Sequence, residues 1–476
     1  MAPASIQPVA LIDLVGLSRG LLGDRTPRLA AFAKRHGSPR SLVPPLPAVT
    51  CTVQSSMLTG LDPAGHGAVA NGWFDRSLGE VLLWRQSNRL VDGEKLWESA
   101  KRIDASITCA NLCWWYAMGG THDVSLTPRP IYAADGRKIP DCWTHPSDLR
   151  DHLQVKLGRF PLFDFWGPRA GIASSRWIAE ASKEVWRIHH PTISLVYLPH
   201  LDYDLQRLGP DDPRIEKSLR EIDEVAGDLL EFYEGEGVAP IVVSEYGIVP
   251  VRGPVAINRE LRRGGWLRVR AEEHGREALD HFASDAFAVV DHQIAHVYLS
   301  PRGLDAKREI AASLRALDGV ESVLEGEPLA SAGLAHARTG DLVAIAEADR
   351  WFEWGHWLDP AMAPDFARCV EIFRKTGFDP CELFIDPNIR FPRLAVGSRL
   401  VRKAIGQRVL MDLIPLDGAI VGGSHGRVDL PEQHRPVTFG PIPDRFADSI
   451  PSTHVRDVVL EVVLGRPRVA GLIEPG

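Results

Sequence analysis

An aspartate interrupts the first strongly apolar segment of the sequence, Val9-Ala-Leu-Ile-Asp-Leu-Val15. A continuous apolar run of this kind is typical of a strand that is buried on both faces of a parallel sheet. A carboxylate is costly to bury there unless it has a partner. Asp13 therefore indicates a metal or phosphoryl site, and the alternative is that it caps the turn formed by Gly16 and Ser18.

Further segments place polar residues where a strand ends or a turn begins. They are PAVTCTVQSSMLTG from Pro47, YLPHLDYDLQRLGP from Tyr197, VVSEYGI from Val242 and GGSHGRV from Gly422. Ligands of parallel α/β sheets bind beyond the carboxyl ends of the strands. We therefore expect chemistry in the residues just after Leu198 and Val243.

The elements that would position these residues include one clear strand–helix–strand unit. Strand-like segments cover residues 192–198 and 238–244, and Pro213 suits the first turn of a helix between them. In that helix, apolar residues recur at three- and four-residue steps: Ile215, Leu219, Ile222, Val225, Leu229 and Phe232. A strand, a crossover helix and a second strand imply a right-handed parallel pair. The unit therefore predicts an α/β fold.

The chain of 476 residues is long enough for one very large domain or for two to three ordinary ones. Residues 85–185 are rich in Trp, Cys, Pro and Gly without a regular period, which predicts an irregular insertion that could wall a substrate pocket. Residues 300–350 combine a helical segment with two short strands, which predicts a small α+β cap or insertion.

The order and content of the polar segments resemble the nucleotide pyrophosphatase/phosphodiesterase branch of the alkaline phosphatase superfamily. Thr50 is followed by Thr59-Gly-Leu-Asp-Pro-Ala-Gly-His-Gly67, which matches the family's Thr-Gly-Leu-x-Pro-x-x-His-Gly. The three later motifs correspond to Asp202 with Gly209-Pro210, to Ser244-Glu-Tyr-Gly247 and to Gly423-Ser-His-Gly426. The resemblance implies a single alkaline phosphatase-like domain over 1–476. Its fold would be a three-layer α/β/α sandwich with a central, mostly parallel sheet and two insertions.

The resemblance also implies a catalytic residue and a set of metal ligands. Thr50 would be the nucleophile. One divalent cation would be bound by Asp13, Thr50, Glu245 and Tyr246, and the other by Asp202, Gln206 and His425. Gln206 and Tyr246 stand where the family has histidines, and Glu245 stands where it has an aspartate. The remaining ligands are mostly oxygen atoms, so magnesium, manganese or iron compete with zinc, and one or two ions are expected.

The chemistry that these residues imply is phosphoryl transfer. A threonine hydroxyl is a weak nucleophile near neutral pH, and a bound cation favours its alkoxide form. The helix that opens after Thr50 adds backbone N–H groups for the same anion. We therefore predict a metal-dependent hydrolase of phosphoric diesters or related phosphoryl substrates. Its partner would be a small phosphorylated substrate.

Three histidines are additional ligand candidates. His200 lies two residues before Asp202, after the end of a strand. His292 and His296 would share one face of a helix, but the flanking apolar residues favour strands, on which the two would be about 13 Å apart and unable to share an ion.

Two alternative functions remain open at this stage. The altered ligands would suit a non-hydrolytic member of the fold that binds a phosphorylated metabolite or a protein. Gly422-Gly-Ser-His-Gly426 also fits the nucleophile elbow of serine hydrolases, with Ser424 as nucleophile. Pro431 and Pro436 argue against that reading, because an elbow is followed at once by a helix.

Composition limits the partners and the location. Lys and Arg total 54 against 62 Asp and Glu, the net charge is -8, and no basic domain is present, so a nucleic acid partner is not expected. We expect no membrane partner and a cytoplasmic location, because no apolar run could span a bilayer or serve as a signal peptide. The six cysteines lack a Cys-x-x-Cys pair, which favours free thiols over a zinc site or disulfides.

Overall fold

A nine-stranded sheet forms the centre of the computed structural model, which describes residues 6–465. Its strands are β1 (Val9–Leu14), β2 (Arg40–Val43), β3 (Cys109–Leu112), β4 (Val124–Pro128), β5 (Cys142–His145), β6 (Ile193–Leu198), β7 (Ala239–Val243), β8 (Val437–Phe439) and β9 (Ser449–Pro451). They are arranged in the order β9-β2-β8-β7-β1-β6-β3-β4-β5. The five strands from β7 to β4 are parallel to one another, whereas β8 and β5 pair with their neighbours in the antiparallel sense. The predicted mostly parallel α/β sheet is confirmed.

Helices pack around this sheet in two groups. One contains α1 (Pro27–Arg35), α4 (Asp148–Leu157), α5 (Ile172–His189), α6 (His200–Leu208) and α7 (Ile215–Gly235). The other contains α2 (Thr50–Thr59), α3 (Leu96–Ile103) and α8 (Val455–Leu464). The helix predicted from the apolar repeat after Pro213 is α7. It connects β6 to β7, which are the two strands on either side of β1 in the sheet.

A second sheet lies in the later part of the chain. It contains the strands Ala286–Asp291, Ile294–Leu299, Leu342–Ala346 and Val320–Leu324 in this spatial order, all antiparallel to their neighbours. The helices Ile257–Arg263 and Lys307–Ala316 contact it, and together these elements have a hydrophobic core of their own. The α+β unit expected over 300–350 therefore begins earlier, with the hairpin of residues 286–299.

The structure departs from the expectation of an irregular insertion over 85–185. That region supplies β3, β4 and β5 to the central sheet and the helices α3, α4 and α5 around it. Its strands are only four or five residues long and carry polar side chains such as Asn111 and Ser125. Segments this short leave too few residues for a period to be recognised in the sequence. Residues 159–171 connect α4 to α5 and are mostly irregular, with one short helix at Leu162–Phe165.

Candidate active site

The sheet brings three acidic residues to one edge. Asp13 lies on the central strand β1, in register with Tyr197 of β6 and Val243 of β7. Because these three strands are parallel, the segments that follow β6 and β7 leave the sheet on the same side as the end of β1. Asp202 is in the first turn of α6, and Glu245 is in the loop after β7. Residues almost 190 positions apart in the chain thereby become neighbours.

Thr50 is the first residue of α2, and its hydroxyl points toward this edge. Its Oγ1 atom lies 3.3 Å from the Tyr246 hydroxyl, and the residue is only 3% exposed. All ten residues of α2 are buried, which fixes the helix and its first turn firmly in the molecule. The backbone N–H of Cys51 donates to Asn71 Oδ1 at 2.9 Å. Thr50 therefore sits at the amino end of a rigid helix, with its hydroxyl against the acidic cluster.

Asp13 and Glu245 form a pair of fully buried carboxyl groups bridged by the Gln54 amide. Gln54 Nε2 lies 3.3 Å from Asp13 Oδ2 and 2.5 Å from Glu245 Oε1. The backbone N–H of Trp115 donates to Gln54 Oε1 at 2.8 Å, which orients the amide so that its NH₂ group faces the carboxyl groups. Burial raises the pKa of Asp13 to about 7 and raises that of Glu245 well above its usual value. Without a cation, the pair therefore retains a proton near neutral pH.

Asp202 is the centre of a second group. Gln206 Nε2 donates to Asp202 Oδ2 at 2.7 Å, and the Tyr246 hydroxyl donates to Asp202 Oδ1 at 3.1 Å. His425 Nε2 lies 4.0 Å from Asp202 Oδ1. Burial raises the pKa of Asp202 to about 6, although the hydrogen bonds from Gln206 and Tyr246 oppose this effect.

His425 is held in one orientation by its neighbours. Its Nδ1 donates to the Ala48 carbonyl at 2.8 Å, so the neutral ring presents an unprotonated Nε2. The ring stacks on Tyr246 with a centroid distance of 3.6 Å and an angle of 5° between planes. Burial lowers the pKa of His425 well below its usual value, and the neighbouring His292 lowers it further.

Tyr246 connects the two groups, because its hydroxyl lies between Thr50 and Asp202. Burial raises the pKa of this phenol well above its usual value, and the nearby carboxylates of Asp202 and Glu245 raise it further. Without a cation, Tyr246 is therefore expected to be a protonated hydrogen-bond donor rather than a phenolate. The adjacent Gly247 has no room for a side chain, since a Cβ atom would lie 1.5 Å from the His434 carbonyl oxygen.

The donor atoms fit a cation that prefers oxygen better than they fit zinc. Among the side chains that the structure describes, no three from His, Cys, Asp or Glu are grouped closely enough to hold a metal. The acidic and imidazole donors instead form two pairs, and Thr50, Gln206 or Tyr246 would have to complete each set of ligands. Four buried atoms of the candidate ligands lack a hydrogen-bond partner among the described residues: Asp13 Oδ1, Glu245 Oε2, Gln206 Oε1 and His425 Nε2. Buried polar atoms without partners are costly, and a divalent cation would satisfy them.

The three additional histidine candidates lie in different parts of the structure. His200 is in the first turn of α6, but its Nε2 lies 3.2 Å from Glu221 Oε2 on α7. His296 lies on a strand, where its Nδ1 accepts from the Gly340 N–H. His292 is in the turn of the hairpin, with a φ of 57°, and its ring lies 3.6 Å from that of His425. Of the three, only His292 borders the cavity described below.

Sequence reasoning missed Gln54, Asn71 and Asp291. Gln54 could have been found, because it follows Thr50 by four residues and so shares its helix face. Asn71 accepts from Cys51 and donates through Nδ2 to Asp291 Oδ1 at 3.1 Å, while its backbone N–H donates to Asp291 Oδ2 at 2.7 Å. Nothing in the local sequence predicts that Asp291 and Asn71, 220 positions apart, meet beside α2.

Ser424 does not have the geometry of a nucleophile elbow. It lies on the two-residue strand Gly423–Ser424, which pairs with Val249–Pro250. Irregular chain and a single turn at Glu432–His434 follow it, not the helix that an elbow requires.

A cavity of about 1040 Å³ opens beside the cluster. Thr50, Asn71, Asp202, His292 and His425 border it. Its other lining is largely aromatic and aliphatic and includes Trp84, Trp115, Trp166, Phe165, Phe373 and Phe378, and basic side chains contribute at Arg129, Lys138, Arg169, Arg374 and Lys403. A substrate bound here would have an anionic group near Thr50 and its remaining part against rings and apolar chains.

The fold and the motifs define the class of protein. The model of the family described as type I phosphodiesterase / nucleotide pyrophosphatase matches residues 9–379. The chain belongs to this family of hydrolases, and the family expectation from the sequence is confirmed.

Individual relatives are more distant. A Schizosaccharomyces pombe protein described as an uncharacterized pyrophosphatase/phosphodiesterase is 25% identical over 235 residues, which cover 47% of this chain and 41% of that protein. The chain thus matches less than half of that relative's length. Murine ectonucleotide pyrophosphatase / phosphodiesterase 5, solved as an inactive variant with AMP, has a TM-score of 0.59 at 14% identity, with 97% of this chain and 96% of that chain covered. Phosphonoacetate hydrolase from Sinorhizobium meliloti 1021, solved with phosphonoformate, has a TM-score of 0.59 at 16% identity and the same coverage. These two likenesses establish the fold.

The raised pKa values predict how the stability of the metal-free protein depends on pH. Burial raises the pKa of Glu353, as of Asp13, to about 7. From about pH 6.5 to just above pH 7 the native state therefore still holds protons that the unfolded state has released, so the free energy of unfolding falls as pH rises, and the fall ends by about pH 8 when these groups have ionised. Buried histidines with lowered pKa values act in the opposite direction, but only below about pH 6.5. We expect Glu353→Gln to reduce the fall between pH 6.5 and 8, as measured by urea unfolding in EDTA. If the free energy of unfolding depended on pH identically in the wild type and in Glu353→Gln, the raised pKa of Glu353 would be contradicted.

Proposed function

We propose that the protein is a metal-dependent hydrolase of phosphoric diesters or related phosphoryl substrates, with Thr50 as the nucleophile. The observation that carries the proposal is the position of the Thr50 hydroxyl. It lies at the amino end of a buried helix, 3.3 Å from a phenol that is itself hydrogen-bonded to Asp202. The buried Asp13–Glu245 pair lies on the same edge of the sheet. Family membership supports the reaction class, and the 97% coverage by structures of the same fold supports the architecture.

In this proposal the residues of the site bind the cations, orient the Thr50 hydroxyl and polarise the phosphoryl group. Asp13 and Glu245 would hold one divalent cation together with Thr50, and Asp202, Gln206 and His425 would hold another. Bound there, such a cation favours the threonine alkoxide and neutralises phosphoryl oxygens. The positive end of the α2 helix dipole would favour the same anion, and Asn71 borders the cavity that it would occupy. A substrate that packs against the aromatic lining would displace water around the reacting group, which would strengthen these electrostatic interactions.

The reaction would begin with transfer of the Thr50 proton to a solvent water in the open cavity and in-line attack of Oγ1 on phosphorus. The leaving oxygen would take a proton from the same solvent. The bond from phosphorus to the leaving group breaks as the bond to Oγ1 forms, and water then releases the phosphoryl group from Thr50 on the opposite side. Tyr246 holds its own proton, so it can donate a hydrogen bond to Asp202 and accept one from Thr50 before the attack. The hydrogen bond to Tyr246 would hold the Thr50 hydroxyl in one orientation before the attack.

The substrate would be a small phosphorylated molecule. The murine relative was solved with AMP and the bacterial one with phosphonoformate, which supports phosphoryl and phosphonate groups as candidates. The basic side chains of the cavity, among them Arg129 and Arg374, complement an anionic substrate. The particular substrate depends on the rest of the lining.

One observation favours a second candidate, a binding protein that no longer hydrolyses its ligand. The Gln54 amide already bridges Asp13 and Glu245, and a shared proton can neutralise that pair without a cation. Such a protein would bind phosphorylated ligands in the same cavity. It would need neither the Thr50 alkoxide nor a metal.

Elemental analysis and a substrate screen separate the two candidates. The purified protein would be dialysed against magnesium, manganese, iron and zinc in turn and assayed with phosphomonoester, phosphodiester, phosphonate and sulfate ester substrates. The hydrolase requires at least one bound ion per chain and turnover that EDTA abolishes. A protein that stays metal-free with every cation, yet binds AMP or phosphonoformate, would be the binder.

The ligand set predicts a change of metal preference in one variant. Gln206→His supplies an imidazole beside Asp202 and His425, which suits zinc better than an amide does. We expect the affinity for zinc relative to manganese to rise by at least about tenfold, as measured by competition with a chromogenic chelator. Gln154→His on the half-exposed surface of α4 is the control, and it should leave the preference unchanged. An unaltered preference in Gln206→His would place the bound ion elsewhere.

A further inference from the structure

A helix beside the cavity presents an apolar surface to solvent. The helix Pro392–Ala404 has thirteen residues and none of them is buried. Val396, Leu400 and Ala404 line the cavity. Leu394, Val401 and Ile405 instead are 71%, 63% and 69% exposed, and their spacing of seven and four residues places them on one face. The helix therefore has one apolar side toward the cavity and another without a partner among the described residues.

The segment that carries this helix is also basic. Residues 387–411 contain no Asp or Glu and include six basic residues: Arg390, Arg393, Arg399, Arg402, Lys403 and Arg408. Arg399 forms an ion pair with Asp412 at 2.8 Å. In the part of the chain that the structure describes, no salt bridge neutralises the other five. The patch is therefore a local cationic surface on a chain whose net charge is -8.

An apolar stripe flanked by cations is the pattern of helices that lie in a membrane interface. With about 100° of rotation per residue, Arg393 and Arg402 fall on opposite sides of the stripe formed by Leu394, Val401 and Ile405. Such a helix buries its apolar face at the boundary of headgroups and acyl chains, while its Arg and Lys side chains bind anionic headgroups. Thirteen residues span about 20 Å, too short to cross the hydrocarbon core. Within residues 6–465, no helix is long and apolar enough to cross a membrane.

We propose that this segment, residues 390–410, docks the protein on the surface of an anionic lipid bilayer. A second copy of the chain is a poorer partner, because a two-fold contact on this face would set two basic patches against each other. Docking would place the helix between the lipid surface and the cavity, because Val396 and Leu400 line the cavity from the opposite side of the same helix. The sequence-based expectation of no membrane partner considered only segments that could span a bilayer, so it did not address a helix that would lie on the surface of one.

Vesicle co-sedimentation tests the proposal with the full chain. We expect binding to vesicles of phosphatidylcholine and phosphatidylglycerol in a 7:3 ratio, little binding to phosphatidylcholine alone, and weaker binding as salt is raised. Leu394→Ser/Val401→Ser/Ile405→Ser should weaken binding by about a hundredfold or more, because three apolar side chains leave the interface. The control is Leu78→Ser/Val155→Ser, which removes exposed apolar side chains elsewhere.

A charge variant tests the second component of the surface. Arg390→Gln/Arg393→Gln/Arg402→Gln should lower the affinity for anionic vesicles by about a hundredfold and remove most of the salt dependence. Thermal unfolding and hydrolysis of a soluble diester should be unchanged in both variants, since none of these residues lines the cavity. Absence of binding by the wild type, or equal binding by wild type and variants, would overturn the proposal. So would light scattering that reveals a dimer abolished by the apolar variant, since the face would then be a contact between copies.

Discussion

Replacing Thr50 by alanine is expected to lower turnover by at least about 10⁴-fold while leaving the metal content unchanged. The hydroxyl is the predicted nucleophile, and no other hydroxyl is placed equivalently at the amino end of α2. Asp13, Glu245, Asp202 and His425 would still supply the cation donors. Initial rates with a chromogenic phosphodiester, together with elemental analysis of the same samples, measure both quantities.

Thr50→Ser is the matched control for that variant. It keeps a hydroxyl at the same position, so it should retain substantial activity. If Thr50 only helped to cap the helix, turnover would instead stay intact in both Thr50→Ala and Thr50→Ser. Alanine at the first turn should cost little stability, because Val49 is the residue at the cap position. A Thr50→Ala protein with full activity would refute the nucleophile assignment.

Asp13→Asn is expected to have opposite effects on stability and on catalysis. The variant removes a buried acid whose burial raises its pKa to about 7, so the metal-free protein should become more stable at pH 8 than the wild type. It should also lose a cation donor, so turnover should fall by about 10²–10³-fold, the scale for loss of one strong electrostatic contact. The thermal midpoint measured with and without manganese reports both changes. In the wild type manganese should raise the midpoint, and in the variant the rise should be clearly smaller, because only the proposed site at Asp202 and His425 would remain intact.

Asp223→Asn separates this effect from a general loss of carboxylates. Asp223 is also buried, but it accepts hydrogen bonds from the N–H groups of Arg28 and Leu29 at the start of α1. Its replacement should lower stability and leave the response to manganese intact. If Asp13→Asn destabilised the metal-free protein and kept the manganese response, Asp13 would be a structural hydrogen-bond acceptor and not a metal donor.

Much of the central sheet could be predicted from the sequence because its middle strands are long and apolar. β1 and β6 are almost continuous apolar runs, α7 has a clear period of three and four residues, and the order of strand, helix and strand from β6 to β7 implies a right-handed parallel pair. The strands β3, β4 and β5 have only four or five residues each and lie among tryptophans, prolines and glycines, so no period could emerge. Whether such short segments form strands depends on the neighbouring strands with which they pair, and those neighbours are distant in the sequence.

The sequence singled out candidate segments where polar residues end a strand or open a turn. The family resemblance then implied the roles of Asp13, Thr50, Asp202, Glu245 and His425, which stay predictions. The sequence could not indicate what Tyr246 does, because its hydroxyl bridges Thr50 and Asp202 only after three segments have packed together. His292 reaches the site through a hairpin turn of the second sheet, whereas the sequence offered only a helix or a strand for it.

Anomalous diffraction at the manganese absorption edge, from crystals grown with that cation and with phosphonoformate, tests the central claim most directly. The account predicts at least one strong peak within coordination distance of Asp202 and His425, or of Asp13 and Glu245, with the phosphonate between that ion and Thr50 Oγ1. An enzyme that is active with manganese, yet shows no peak beside any of these residues, would contradict it.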